Sequence, residues 1–288
     1  MKICFLNKNL DIRGGVGRYG LDISESISKR KGVEDVIVLT EQGGNHKLEK
    51  LVLLDSRHIS GFINLFINAL KIRKYIKKYD IIHALDGYPY GVIAALANIG
   101  INKKLVINGI GTYSILPLEQ PIKKFLMKWA YQRADAVLCI SQYTKRQLLK
   151  RVKLNNVVVI NHGVDYSRYT QSTVSQLPVA GKQILSVCGG LKYRKGLHIS
   201  IPAMGLVKKK YPDIKYYIVG SQTDDASYFL ELKFLVKENN LEKNVIFLEN
   251  LQDNRLIELY YLSDIFVLTS INIGSDFEGF GLVYLEAG

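Results

Sequence analysis

The stretch Gln183-Ile184-Leu185-Ser186-Val187-Cys188-Gly189-Gly190-Leu191-Lys192-Tyr193-Arg194-Lys195-Gly196 decides the fold. A short apolar run ends on two glycines, a basic turn follows, and an amphipathic helical pattern begins after Gly196. Strand, glycine turn and helix in that order make half of a β-α-β unit. The same unit recurs in both directions. Strand-like runs lie at 2–6, 35–40, 81–84, 104–108, 136–140 and 157–160, and again at 183–187, 215–219, 244–248 and 264–268. Between them apolar residues recur three and four apart, as in Phe62, Leu65, Phe66, Ala69 and Ile72, or Ile122, Phe125, Leu126 and Trp129. Such alternation predicts right-handed crossovers and parallel sheets covered on both faces. A polar, turn-rich stretch at 163–182 separates the two series. The expected architecture is α/β, two doubly wound Rossmann-like domains at 1–170 and 171–288. Ligands of such sheets sit beyond the carboxyl ends of the strands.

Length and composition agree with that reading. At 288 residues the chain has room for two domains, and 48% hydrophobic with 23% charged residues excludes a disordered chain or a fibrous repeat. Lys and Arg number 39 against 26 Asp and Glu, a formal charge of +13 that asks for an anionic partner. The cations form small scattered clusters, with no zinc-finger spacing, basic heptad region or aromatic RNA-binding signature, so nucleic acid is not expected. Cys4, Cys139 and Cys188 lie far apart in apolar runs. They read as buried reduced thiols of a cytoplasmic protein, with no metal-ligand spacing. The apolar stretch 91–101 is much shorter than the ~20 residues of a spanning helix.

Gly15-Val16-Gly17-Arg18-Tyr19-Gly20 matches the dinucleotide fingerprint literally, with Glu41 about twenty residues on. The fingerprint needs its first glycine in a tight turn directly after the strand, whereas 7–14 intervene here. An NAD-binding enzyme is therefore the weaker reading, and a glycine-rich loop opening a helix the simpler one.

The second half carries stronger signals. Lys192, Arg194 and Lys195 crowd a helix start, where the helix dipole favours acidic side chains, and a locally unfavourable choice points to function. A solvated basic turn is the plain alternative. Near the end stands Phe277-Glu278-Gly279-Phe280-Gly281-Leu282-Val283-Tyr284-Leu285-Glu286. Its glycines bracket a helix start whose N–H groups, from Gly281 to Val283, can hold a phosphate. Glu278 precedes the helix and Glu286 lies one turn beyond Leu282, placed to grip hydroxyls on either side of a diphosphate.

At these residues the sequence resembles the group 1 glycosyltransferases, the retaining family 4 with the two-domain GT-B fold. The E-x7-E motif is Glu278 to Glu286. Further matches are Arg194–Gly196, the segment Asn161-His162-Gly163-Val164-Asp165, the run 136–141 and the loop Gly14-Gly15-Val16-Gly17. The resemblance implies transfer of a sugar from a nucleoside diphosphate donor to an acceptor hydroxyl with retention, without metal or other cofactor. It places Lys195 on the departing diphosphate with Arg194 or Lys192 nearby, Glu278 on the donor sugar and Glu286 on the ribose. The N–H groups of Phe280, Gly281, Leu282 and Val283 would meet the distal phosphate. Gly14, Gly15, His83 and Thr112 fall on the acceptor side, where a structural histidine is an equal reading of His83.

The sequence departs from that pattern in three places. Gly190 stands where many members carry Arg, so Lys192 is expected to supply that charge. Ile110 takes the place of a His in Asn108-Gly109-Ile110-Gly111-Thr112. Gly288 falls inside the helix that Gly281 opens, so the second domain is expected to be incomplete and to leave apolar surface uncovered. A truncated, non-catalytic derivative is then the alternative to an active enzyme. The implied acceptors are a glycan or a lipid-linked sugar in polysaccharide or glycolipid synthesis. The basic amphipathic stretches 61–79 and 121–133 admit two readings, sheet-covering helices with solvated lysines or helices on the inner face of an anionic membrane.

Overall fold

A computed structural model describes residues 1–11, 15–43, 46–53, 61–170 and 181–288, and the chain divides into two compact units, Met1–Asn161 and His162–Gly288. Side-chain bonds show why the division precedes the 163–182 stretch. Asn161 Nδ2 still donates to the Ile140 carbonyl at 2.9 Å, whereas Arg168 pairs with Asp253 at 2.5 Å.

The first unit runs β1 (Lys2–Asn7), α1 (Gly15–Ser28), β2 (Asp35–Thr40), β3 (Glu49–Leu51), α2 (Gly61–Ile76), β4 (Ile81–Ala84), α3 (Val92–Ala97), β5 (Lys104–Gly109), α4 (Thr112–Ile115), α5 (Pro121–Arg133), β6 (Ala136–Cys139), α6 (Gln142–Leu149) and β7 (Val157–Val159). Its sheet has the order β3-β2-β1-β4-β5-β6-β7, and every pair is parallel. The chain turns back at β1, so the ends of β1, β4 and β5 lie side by side where the strand order reverses. Cys4, Cys139 and Cys188 are buried free thiols.

Two details differ from the sequence expectation. Strand β3 is three residues, Glu-Lys-Leu, at the sheet edge, too short and polar to announce itself. Helix α2 seats Leu65, Ala69, Ile72 and Ile76 inward as its periodicity predicts, but Phe62 and Phe66 point outward, 54% and 60% exposed. Asn64 and Asn68 take buried positions instead, Asn68 Nδ2 donating to Asn64 Oδ1 at 2.7 Å.

Two of the fingerprint-like glycines, Gly17 and Gly20, serve packing. A methyl group on Gly17 would approach Asn9 Oδ1 to 2.7 Å, so the missing side chain lets the 7–11 loop lie across α1.

The second unit runs α7 (Tyr166–Thr170), β8 (Gln183–Gly190), α8 (Leu197–Lys208), β9 (Lys215–Ser221), α9 (Ala226–Glu238), β10 (Val245–Leu248), α10 (Asp253–Leu262), β11 (Ile265–Phe266) and α11 (Leu282–Ala287). Its parallel sheet has the order β10-β9-β8-β11. Tyr216 is wholly buried in the core, its hydroxyl bonded to Ser186 Oγ at 2.7 Å and Ser200 Oγ at 2.8 Å. A groove of about 340 Å³, lined by Ile184, Met204, Val207, Tyr211, Ile265 and Val267 among others, opens beside the short strand β11.

Because β8 and β11 are neighbours, the loops that follow them meet. Thr269 Oγ1 donates to the Gly196 carbonyl at 2.6 Å, and Ile271 N donates to the Arg194 carbonyl at 2.8 Å. Gly196 holds φ +70°, and a Cβ there would collide with the Thr269 carbonyl. Gly196→Ala should therefore lower stability by about 2 kcal/mol or more, whereas Gly15→Ala, whose Cβ meets nothing within 4 Å, should be nearly neutral. Urea unfolding of the two variants checks this; equal midpoints would refute the packing argument.

Candidate functional site

The turn after β8 carries the cations. Gly189 turns at φ +67°, residues 193–195 form one 3-10 turn, and left-handed Gly196 starts α8. This presents Arg194 and Lys195 toward the loop after β11. Lys195 Nζ lies 2.6 Å from Glu278 Oε2, Arg194 contacts the same oxygen at 3.0 Å, and Arg194 Nε reaches Asp276 Oδ1 at 3.1 Å. The Lys195 side chain is only 9% exposed, so its charge needs this partner. Burial pushes the Glu278 carboxyl up, but Lys195 and Arg194 together outweigh it and hold the group below the ordinary glutamate value. Lysine has three N–H donors and the guanidinium five, so both keep donors for further oxygens.

The remaining predicted donor residues surround this cluster unevenly. Lys192 is drawn aside to Asp224 at 3.3 Å, in the loop after β9, and does not join Glu278. The Phe280 ring lies 5.7 Å from that of His162, whose imidazole burial lowers to about 4 and so keeps neutral. Gly281, at φ +75°, opens α11; Leu282 follows it, and Val283 packs on the core. Tyr284 ties the helix down, its hydroxyl donating to the Leu268 carbonyl at 2.8 Å. Glu286 accepts from the Tyr260 hydroxyl at 2.7 Å, which turns its carboxylate toward α10. The partners Asp276, Thr269, Asp224 and Tyr260 escape sequence reading, since each depends on which strands are adjacent.

In the first unit, Gly14 lies outside the described residues. Gly15 opens α1 after β1, His83 lies on β4, and Thr112 opens α4 after β5, near the ends of three adjacent strands. His83 is buried, its Nε2 2.8 Å from Asn108 Oδ1, while Asn108 Nδ2 donates to the Tyr19 hydroxyl at 2.8 Å. With the amide assigned that way, His83 donates from Nε2; burial lowers its imidazole to about 4, so it is neutral. Beside it Asp86 accepts from Gly87 N and Ser114 Oγ, both at 2.6 Å. Burial raises that carboxyl to about 6 against these two donors. Among the described residues no group of three His, Cys, Asp or Glu side chains converges to hold a metal ion.

Residues 13–168 match the profile of Glycosyltransferase Family 4, and residues 170–288 match that of Glycosyl transferases group 1. The chain belongs to the family 4, group 1 glycosyltransferases. It is 24% identical over 241 residues to an uncharacterized glycosyltransferase of Methanocaldococcus jannaschii, a match covering 78% of this chain and 61% of that protein. Over 166 residues it is 31% identical to a GDP-mannose-dependent monoacylated alpha-(1-6)-phosphatidylinositol monomannoside mannosyltransferase of Corynebacterium glutamicum, 53% of this chain and 42% of the relative. The match thus spans less than two thirds of either relative. Among solved structures, Anabaena HepE in complex with UDP-glucose superposes with a TM-score of 0.79 at 23% identity, over 100% of this chain and 78% of that one. A glycosyltransferase from Rickettsia africae ESF-5 gives 0.78 at 22%, over 99% and 76%. The two Rossmann-like units of this family member are those of the GT-B fold.

The cluster has a pH signature. A carboxylate held below its unfolded value stabilises the fold fully above the ordinary glutamate pKa, and that contribution disappears as pH falls through the lowered value. Between about pH 5 and pH 3 the second unit should lose stability more steeply than its Glu278→Gln variant. Urea midpoints across that range provide the check, and parallel curves would show Glu278 to be unpaired in solution.

Proposed function

We propose that this chain is the catalytic part of a retaining glycosyltransferase that moves a sugar from a nucleoside diphosphate sugar to an acceptor hydroxyl. The observation that carries the reading is the convergence of Lys195 and Arg194 on Glu278 beyond adjacent strands β8 and β11. Departure of a diphosphate builds negative charge, and preorganised cations placed where that charge develops lower the barrier. Lys195 and Arg194 would share themselves between Glu278 and the phosphate oxygens. Glu278, kept ionised, would accept from sugar hydroxyls beside the reacting carbon. In the retaining reaction the leaving phosphate would help remove the acceptor's proton, since no separate base is assigned.

Glu286 accepts one bond from Tyr260, and a carboxylate has room for several, so ribose hydroxyls fit the remaining capacity. The amides at Gly281, Leu282 and Val283 would meet the distal phosphate. Lys192, already paired with Asp224, would act as a reserve cation at the rim. The solved complexes of Anabaena HepE with UDP and with UDP-glucose, and the GDP-mannose-dependent relative, support a nucleotide-sugar donor. His83, Gly15 and Thr112 would border the acceptor, for which a glycan or a lipid-linked sugar is the class proposed, in polysaccharide or glycolipid synthesis at the cytoplasmic side. His83, neutral and bonded to Asn108, would shape that border rather than exchange protons there.

Calorimetry on the intact gene product with UDP- and GDP-sugars, and with NAD as the contrast, tests the proposal. A sugar nucleotide should bind and NAD should not; the reverse would overturn it. Lys195→Ala and Glu286→Ala should each weaken donor binding about tenfold or more, as expected for loss of a charged hydrogen bond, and Lys209→Ala should leave it unchanged. Equal effects from all three would mean the anion site lies elsewhere.

A further inference from the structure

Helix α2 is built the wrong way round for a helix whose outer face meets only water. Phe62, Ile63, Phe66 and Leu70, one stripe at helical spacing, are 54–60% exposed, while Asn64 and Asn68 are buried and bonded to one another. Burying two amides while four large apolar side chains face outward is costly unless something other than water covers the outer face. Helices α2 and α5 both pack against the almost wholly buried α3, so they belong to one layer on the sheet. On α5, Ile122 and Phe125 are exposed in turn, 59% and 70%.

The charge on this layer has one sign. Residues 61–79 and 121–133 contain no Asp or Glu, whereas Lys71, Lys74, Lys77 and Lys78 follow the α2 stripe and Lys123, Lys124 and Lys128 flank Phe125. A useful contrast stands in the second unit. Helix α9 exposes Leu230 and Phe234, but Glu231 and Glu238 alternate there with Lys233 and Lys237, which cancels the field. Exposed aromatic and aliphatic side chains beside an acid-free row of lysines match a surface that is apolar beneath an anionic skin.

We infer that the outer face of α2 and α5 is a docking surface for an anionic phospholipid bilayer, with Phe62, Phe66 and Phe125 entering the headgroup boundary and the lysines meeting the phosphates. No helix among the described residues is long and apolar enough to cross a membrane, so the contact is one of lying on the bilayer. The inference stands on this face alone and does not depend on the donor site of the second unit.

Flotation of the intact chain with vesicles of phosphatidylcholine, with and without phosphatidylglycerol, tests it. Binding is expected to the anionic vesicles only, and to fall as salt rises. The F62S/F66S double variant should bind about tenfold more weakly or worse, since two buried aromatic contacts are removed. K74E/K77E/K78E, which alters only surface lysines, should do the same, and F234S should bind as the parent does. Failure to float with anionic vesicles, equal floating with neutral ones, or undiminished floating of F62S/F66S would each overturn the inference. Sedimentation equilibrium distinguishes the remaining occupant: a dimer that F62S/F66S dissolves, with no vesicle binding, would assign the face to a second copy of the chain.

Discussion

The hydrogen bond from the Thr269 hydroxyl to the Gly196 carbonyl sets the candidate site. It joins the loops that leave β8 and β11, strands that are neighbours in the sheet though far apart in the chain. Only a residue without Cβ, in the left-handed region, fits against the Thr269 carbonyl, so the turn 193–195 has a single seating. With that turn seated, Arg194 and Lys195 can only present themselves to the following loop, where Asp276 and Glu278 meet them. Backbone packing thus comes first and electrostatics second.

The resulting cluster is balanced before any ligand arrives. Lys195 is nearly buried, and a buried ammonium without a partner is destabilising on the order of 3 kcal/mol or more. Glu278 removes that penalty and is itself held ionised by the same contact. The proposed diphosphate donor would therefore meet cations already positioned by Glu278 and Asp276, and would not have to order them. The carboxylate that serves as counterion is also the group proposed to touch the sugar, so one side chain would link the resting stability of the unit to its proposed chemistry.

Much of this was legible in the sequence, for reasons that also explain what was not. Alternation of β-branched runs with helical spacing is a local signal, and ten of the strands follow from it; β3, with Glu-Lys-Leu and no pattern, does not. Arg194, Lys195 and Glu278 stand out as motifs because glycines and charges cluster around them. Their direct pairing across 84 and 83 residues is a property of strand order, which periodicity does not specify. Lys192 shows the limit most clearly: beside Arg194 in sequence it looks equivalent, yet Asp224 after β9 captures it. In α2 the periodicity is correct for Leu65 and Ala69 but wrong for Phe62 and Phe66, since a helix apolar on several sides does not declare which stripe is buried.

The composition of α5 has an optical consequence. The chain's one tryptophan, Trp129, lies on this helix with the Arg133 guanidinium 4.8 Å from its ring. Indole emission therefore originates entirely in the first unit, while the second absorbs and emits only through its tyrosines and phenylalanines. Excitation at the red edge of protein absorption isolates the unit with the seven-stranded sheet, so its melting can be followed by itself in the unlabelled chain.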